Sequence, residues 1–160
     1  MNLIVAVDSN WGIGKDNKLL YRIKEDMQRF KQLTVGKIVV MGKNTYLSLP
    51  DKNRPLPDRI NIVLTHDLEW SSPGVIVVHD IDSLMIELSQ YETDDVFVIG
   101  GESIYKQLLP YCDTSYVTKV ENQFDADRFM VNLDKSKDWI PVNIQYEKEC
   151  NFWKYMKFTI

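Results

Sequence analysis

Short, apolar, β-branched runs recur along this chain at residues 3–7, 38–41, 60–64, 75–78 and 96–99, and they limit its fold more than any other feature. Each is too uniformly apolar to keep one face in water, which suits strands buried on both faces of a parallel sheet. Helix patterns separate them. Residues 23–33 form one, a short one starts at Lys43, 81–88 follows Asp80 as N-cap, and 103–109 is stopped by Pro110. After Tyr116 alternating strands take over, and residues 144–149 and 153–159 read as an antiparallel pair joined near Asn151. The expected fold is α/β: a single three-layer domain over residues 1–160, with a central, mostly parallel sheet, an antiparallel C-terminal strand and about four flanking helices. A length of 160 residues is that of one domain with a substantial core.

Composition excludes several classes of function. A net charge of −4 argues against a dedicated nucleic-acid or anionic-membrane binder. No apolar run reaches the ~18 residues of a membrane span. The N-terminus lacks a basic leader and reads as a buried strand. Cys112 and Cys150 have no metal or redox spacing and read as reduced thiols, and His66 and His79 are the only histidines, so no metal site is expected. A cytoplasmic monomer without metal is the expectation.

Asp26 is the residue that calls for chemistry. With residues 23–33 as a helix, turning roughly 100° per residue, Ile23, Met27, Phe30 and Leu33 share an apolar arc and Asp26 falls inside it. Lys24, Glu25, Gln28, Arg29, Lys31 and Gln32 take the solvated side. A carboxylate held against apolar groups is costly unless something pairs with it. One explanation is a functional carboxylate. The other is an ordinary first-turn acid, held by free backbone N–H groups.

Two strands run into glycine and then a helix. Residues 38–41 lead to Gly42-Lys43-Asn44-Thr45, and residues 96–99 lead to Gly100-Gly101-Glu102-Ser103. A helix start offers unpaired N–H groups, and glycine lets a phosphate approach the backbone. One such junction is common simply because glycine turns the chain well; two in one sheet suit the two halves of a dinucleotide pyrophosphate. The G-x-G-x-x-G fingerprint is absent, so this is not an ordinary Rossmann site. A third strand ends in Leu64-Thr65-His66, where hydroxyl and imidazole groups suit a 2′-phosphate and favour NADP over NAD.

The chain resembles the dihydrofolate reductases from its first strand to its last. The resemblance is carried by Ile4-Val5-Ala6-Val7, Gly12-Ile13-Gly14-Lys15-Asp16-Asn17, Glu25-Asp26-Met27-Gln28-Arg29-Phe30-Lys31, Val40-Met41-Gly42-Lys43-Asn44-Thr45-Tyr46, Arg54-Pro55-Leu56-Pro57-Asp58-Arg59-Ile60-Asn61, and Val98-Ile99-Gly100-Gly101 with Ile104-Tyr105. It implies NADPH-dependent reduction of 7,8-dihydrofolate to tetrahydrofolate, a step of one-carbon metabolism, with dihydrofolate and antifolate-type molecules as ligands. It implies that Asp26 accepts the two-donor edge of the pterin and favours protonation at N5, with Tyr21 holding a bridging water and Thr118 supporting the carboxylate. Ile4 and Ile99 are expected to offer carbonyls to the pterin pocket, Met27 and Phe30 to wall the rings, and Arg59, with Arg54, to serve the glutamyl tail. Without the resemblance, Thr118 is a strand former, Arg59 a solvated turn residue, and Met27 and Phe30 plain core.

NADPH is expected along Ala6, Ile13, Gly14, Asn17 and Leu19, then Gly42, Lys43, Asn44 and Thr45. From there it would follow Leu64, Thr65, His66 and His79, and finally Gly100, Gly101, Glu102, Ser103, Ile104 and Tyr105. Gly100-Gly101 resembles the family's cis-linked pair, and residues 9–20 its loop over the nicotinamide.

The chain also departs from the family pattern. Leu20-Tyr21 replaces Pro-Trp, Asn44 a frequent His or Arg, and Ser103 an Arg of some members. Asp127-Arg128-Phe129-Met130-Val131 varies a motif that often reads Asp-Thr-Phe-Phe-Pro, and two or three extra residues lie around Asp51 to Asn53. Two other readings compete. A pyrimidine reductase of riboflavin synthesis is disfavoured by the settings of Asp26 and Arg59. A non-catalytic nucleotide- or RNA-binding module is disfavoured by the acidic composition and the lack of an aromatic-basic stripe.

Overall fold

In the computed structural model, residues 1–16 and 18–158 are described. In chain order they form β1 (Asn2–Val7), β2 (Gly12–Lys15), β3 (Lys18–Leu19), α1 (Lys24–Thr34), β4 (Ile38–Gly42), α2 (Lys43–Ser48), β5 (Ile60–Leu64), β6 (Val75–Val78), α3 (Ile81–Leu88), β7 (Val96–Gly100), α4 (Glu102–Leu108), β8 (Thr114–Lys119), β9 (Arg128–Phe129), β10 (Trp139–Tyr146) and β11 (Asn151–Lys157). Eight strands make one sheet in the order β10-β11-β8-β1-β7-β4-β5-β6. The five apolar runs are parallel strands of it, with β6 at one edge, and β11 is the strand that runs against the rest.

Side-chain alternation sorts these strands into two cores. Leu3, Val5, Val7, Val40, Ile62 and Val98 pack with Leu84 and Leu88 of α3 and Ile104 and Leu108 of α4. The alternate set, Ile4, Val39, Met41, Val63 and Phe97, packs with Phe30 and Leu33 of α1 and Tyr46 of α2. Continuously apolar strands are therefore needed, because both faces are covered. Asp80 caps α3, its side chain accepting from Ser83 N at 2.7 Å.

Three local expectations change. Helix α4 ends just ahead of Pro110, at Leu108 and not Leu109, and Pro110 sits in a 3₁₀ turn over Leu109–Tyr111, near its start where its missing N–H costs little. The hairpin begins at Trp139, ahead of the expected residue 144, because Pro141 is tolerated on an edge strand beside an irregularity at Pro141/Asn143. Asn151 opens β11, and the turn is closed by Glu147 N donating to Cys150 O. Helix α1 keeps Ile23, Phe30 and Leu33 of the expected arc against the core but departs from it at two positions. Met27 is 52 % exposed, while Arg29 is half-buried with its guanidinium 4.3 Å from the centre of the Phe152 ring. The aromatic side chains of β8 and β11 cover that flank of the helix and shelter a charge that the sequence pattern assigns to solvent.

A second, small sheet joins β3, β2 and β9. Buried Asp8, just after β1, anchors it. Its Oδ1 accepts from the backbone N–H groups of Asn10 (2.9 Å) and Gly12 (2.8 Å), and its Oδ2 accepts from Phe124 N (2.9 Å).

Candidate active site

Because β4, β5 and β7 are parallel, their C-terminal ends, Gly42, Leu64 and Gly100, open on one edge. A cleft of about 420 Å³ lies there. Eighteen of the nineteen residues expected along the cofactor line it: Ala6, Ile13, Gly14, Leu19, Gly42, Lys43, Asn44, Thr45, Leu64, Thr65, His66, His79, Gly100, Gly101, Glu102, Ser103, Ile104 and Tyr105. Asn17 lies outside the described residues. Glycine is required at two of these strand ends. A Cβ on Gly42 would come within 3.0 Å of the Ile104 side chain, and Gly100 has φ +131°, closed to L side chains. The Gly100–Gly101 peptide is cis.

The cleft is more mixed in charge than the sequence suggests. Lys43 Nζ lies 2.8 Å from Asp67 Oδ2, so the cation at the first junction carries its own counter-ion. The hydrogen bond from Lys43 holds the Asp67 carboxyl below the usual carboxylate range. Thr65 Oγ1 accepts from Asp67 N (3.1 Å), and His79 Nδ1 lies 2.8 Å from Thr65 O. Lys18, Asp67 and Arg128 also line the cleft and were not anticipated. Arg128 lies in the departing Asp127–Val131 motif and Asp67 directly follows His66, so their positions were the available signals. Glu102, at the start of α4, accepts from Phe129 N of β9 at 2.6 Å and so ties the small sheet to the cleft floor.

Beside this cleft lies the carboxylate. Thr118 Oγ1, from β8, donates to Asp26 Oδ1 at 2.6 Å. Burial pushes the Asp26 carboxyl above its ordinary value, against the lowering effects of the Thr118 hydrogen bond and the Arg29 charge. Asp26 does lie in the first turn of α1, as the ordinary explanation expects, but the group that holds it is the Thr118 hydroxyl of a distant strand and not a free backbone N–H of that turn. Tyr21 donates its hydroxyl to Val7 O at 3.1 Å, and burial, then the Asp26 charge, raises its pKa so that it stays a neutral phenol. Tyr105 links the two regions. Its hydroxyl lies 2.7 Å from Ile4 O and 2.9 Å from Ile99 O, and burial, then the nearby Asp26 carboxylate, raises its pKa so that it stays a neutral phenol.

The remaining expected residues lie on α1 and in the segment before β5, outside the lining of that cleft. Met27 and Phe30 lie on α1, next to Asp26 in the sequence and one turn on. Arg59 donates from Nε to Pro57 O (2.9 Å) and from Nη1 to Thr34 Oγ1 (3.1 Å), and lies 5.9 Å from the Phe30 ring centre. These two bonds fix the plane of its fork and leave other N–H groups to bind a ligand. Arg54 is committed elsewhere. It donates to Leu47 O (2.9 Å) and pairs with Asp51 (2.8 Å), one of the inserted residues.

A dihydrofolate reductase family model matches residues 1–159. The chain is 38 % identical to the dihydrofolate reductase of Mycobacterium leprae, over 97 % of this chain and 93 % of the relative. It is 37 % identical to that of Staphylococcus haemolyticus, over 91 % and 84 %. A solved Enterococcus faecalis dihydrofolate reductase, in complex with NADP(H) and RAB-propyl, superposes with a TM-score of 0.85 at 30 % identity, covering 98 % of this chain and 95 % of that one.

Proposed function

We propose the following division of labour for a chain that belongs to the dihydrofolate reductase family and reduces dihydrofolate with NADPH: Asp26 governs the proton, Arg59 holds the substrate tail, and the glycine-marked cleft seats the cofactor. When bound, NADPH supplies the hydride that ends on C6 of the pterin.

The observation that carries the reading is the half-buried carboxylate bonded to Thr118. A carboxylate accepts a two-donor edge, such as the 2-amino and N3–H of a pterin, in a bidentate way. Thr118 occupies Oδ1 from one side and fixes the rotamer, so the group meets the ring in one orientation. Its raised proton affinity favours delivery of a proton to N5, relayed by a water because Asp26 contacts the far edge of the ring. Tyr21, a neutral phenol beside it, suits the holding of that water. The carbonyls of Ile4 and Ile99 each keep a lone pair for the pterin beyond the one that faces Tyr105.

The fork of Arg59 suits the α-carboxylate of a glutamyl tail, and Met27 with Phe30 offers apolar wall to the rings. The cofactor cleft is supported by Gly42 and Gly101, where a Cβ would approach Ile104 at 3.0 Å and Thr45 at 3.2 Å. Lys43, Thr65 and His66 are the candidates for a 2′-phosphate. Dihydrofolate and antifolate-type molecules are the proposed ligands. A cytoplasmic monomer is part of the same reading: one chain supplies every proposed group, and burial pushes the free thiols of Cys112 and Cys150 up to about 12 and about 11, which leaves them inert.

The test is the rate of NADPH oxidation on mixing with dihydrofolate in a single turnover, measured across pH. The rate is expected to fall as pH rises through one midpoint above the ordinary carboxylate value. A pH-independent rate would count against the reading.

A further inference from the structure

Arg29 follows Asp26 by three residues on α1 and shares its side of the helix. It is not a solvated helix charge. Its guanidinium lies 4.3 Å from the Phe152 ring centre on β11 and 5.7 Å from that of Tyr116 on β8. Its Nη1 is buried and has no hydrogen-bond partner among the described residues. Holding a guanidinium this way costs desolvation, seen in its lowered pKa, and the favourable charge that first opposes this cost is Asp26.

We propose that Arg29 is a positioning residue for the proton step: clamped on the faces of Phe152 and Tyr116, its guanidinium sets the charge around Asp26 and thereby the pH at which the enzyme loses its rate. The proposal rests on the reading of Asp26 as the group that governs the proton.

The other titratable groups around the carboxylate do not supply that charge. Tyr21 precedes α1, Tyr105 lies on α4 and Cys150 precedes β11, and burial holds all three in their neutral forms. Asp8 and Glu25 act on Tyr21 and Cys150 respectively, and neither is among the groups that shift Asp26. Arg29 is the cation that acts on Asp26 among the described residues, and it opposes the effect of burial. Without it, burial would be opposed by the Thr118 hydrogen bond alone.

The experiment compares single-turnover hydride transfer across pH in the wild type, Arg29→Met, Arg29→Lys and Asp26→Asn. Arg29→Met keeps the aliphatic length and removes the charge. Its midpoint is expected to move up by on the order of one pH unit, the low end for loss of a nearby opposite charge. Arg29→Lys keeps the charge and is expected to lie closer to the wild type. An unmoved midpoint in Arg29→Met, or an equal shift in both variants, would overturn the proposal, since the second outcome would assign the effect to packing. Should Arg29→Met not fold, the Arg29 Nε–H resonance of the unaltered protein serves instead. It is expected to titrate with the midpoint of Asp26 and to stop doing so in Asp26→Asn; a resonance that ignores that titration overturns the proposal. If Asp26→Asn keeps the full rate, the reading of Asp26 fails. If it loses the rate while the midpoint of Arg29→Met stays put, the Arg29 assignment alone fails.

Discussion

Thr118 Oγ1 and Asp26 Oδ1 meet at 2.6 Å across 92 residues of sequence, joining strand β8 to helix α1. The bond stabilises the ionised form of the carboxylate and works against burial. Thr118→Val keeps the shape and removes the donor. Its hydride-transfer midpoint is expected to move to higher pH, by about one unit for a charged hydrogen bond worth ~1.5 kcal/mol. Thr118→Ser is expected to keep the wild-type midpoint. An unchanged profile in Thr118→Val would separate this contact from the chemistry.

Asp26 also makes stability depend on pH. Its folded pKa lies above its unfolded one, so between the two values the folded state binds more protons and stability falls as pH rises. Above the folded pKa the full penalty is present; below the unfolded value, near ~3.9, it is gone. Asp26→Asn is therefore expected to melt higher than the wild type at pH 7, with the difference vanishing toward about pH 4. Thermal melts of both proteins across that range are the measurement, and a variant less stable at pH 7 would contradict the sign.

Arg59→Lys keeps the charge and loses the planar fork. The KM for dihydrofolate is expected to rise by about ten-fold or more, matching ~1.5–3 kcal/mol for a lost charged hydrogen bond, with little change in NADPH affinity. A pterin without the glutamyl tail is expected to be indifferent to the change. Equal losses for tailed and tail-less substrates would remove Arg59 from the tail site.

Lys43 and Asp67 form a partly exposed ion pair in the cofactor cleft. Asp67→Asn frees the ammonium and is expected to tighten NADPH by a few-fold at most, because a solvent-exposed ion pair is weak. NADH, without a 2′-phosphate, is expected to change little, and added salt should erase the gain. Equal tightening of both cofactors would show that Lys43 does not meet the 2′-phosphate.

The parallel centre of the sheet was legible in the sequence because strands buried on both faces must be largely apolar, and residues 38–41 and 96–99 fall within β4 and β7. The cofactor cleft was legible through its glycines and through family resemblance. What periodicity hid was tertiary shielding. Arg29 carries a charge that any helical wheel assigns to water, yet the rings of Phe152 and Tyr116, more than 80 residues away, cover it. Likewise, Pro141 ends a strand on propensity alone but is admitted at the open edge of a sheet. The Lys43–Asp67 pair was hidden for a similar reason, since the turn that brings Asp67 back leaves no periodic trace.

The central claim is that the Asp26 carboxylate governs the proton that accompanies hydride transfer. Single-turnover hydride transfer in Asp26→Asn, at pH 7 and at low pH, tests it most directly. The account predicts a rate about 10²–10⁴-fold below the wild type at neutral pH, with the gap closing at low pH as solvent protonates the pterin, while NADPH affinity is retained. A variant that transfers hydride at the wild-type rate at pH 7 would contradict it.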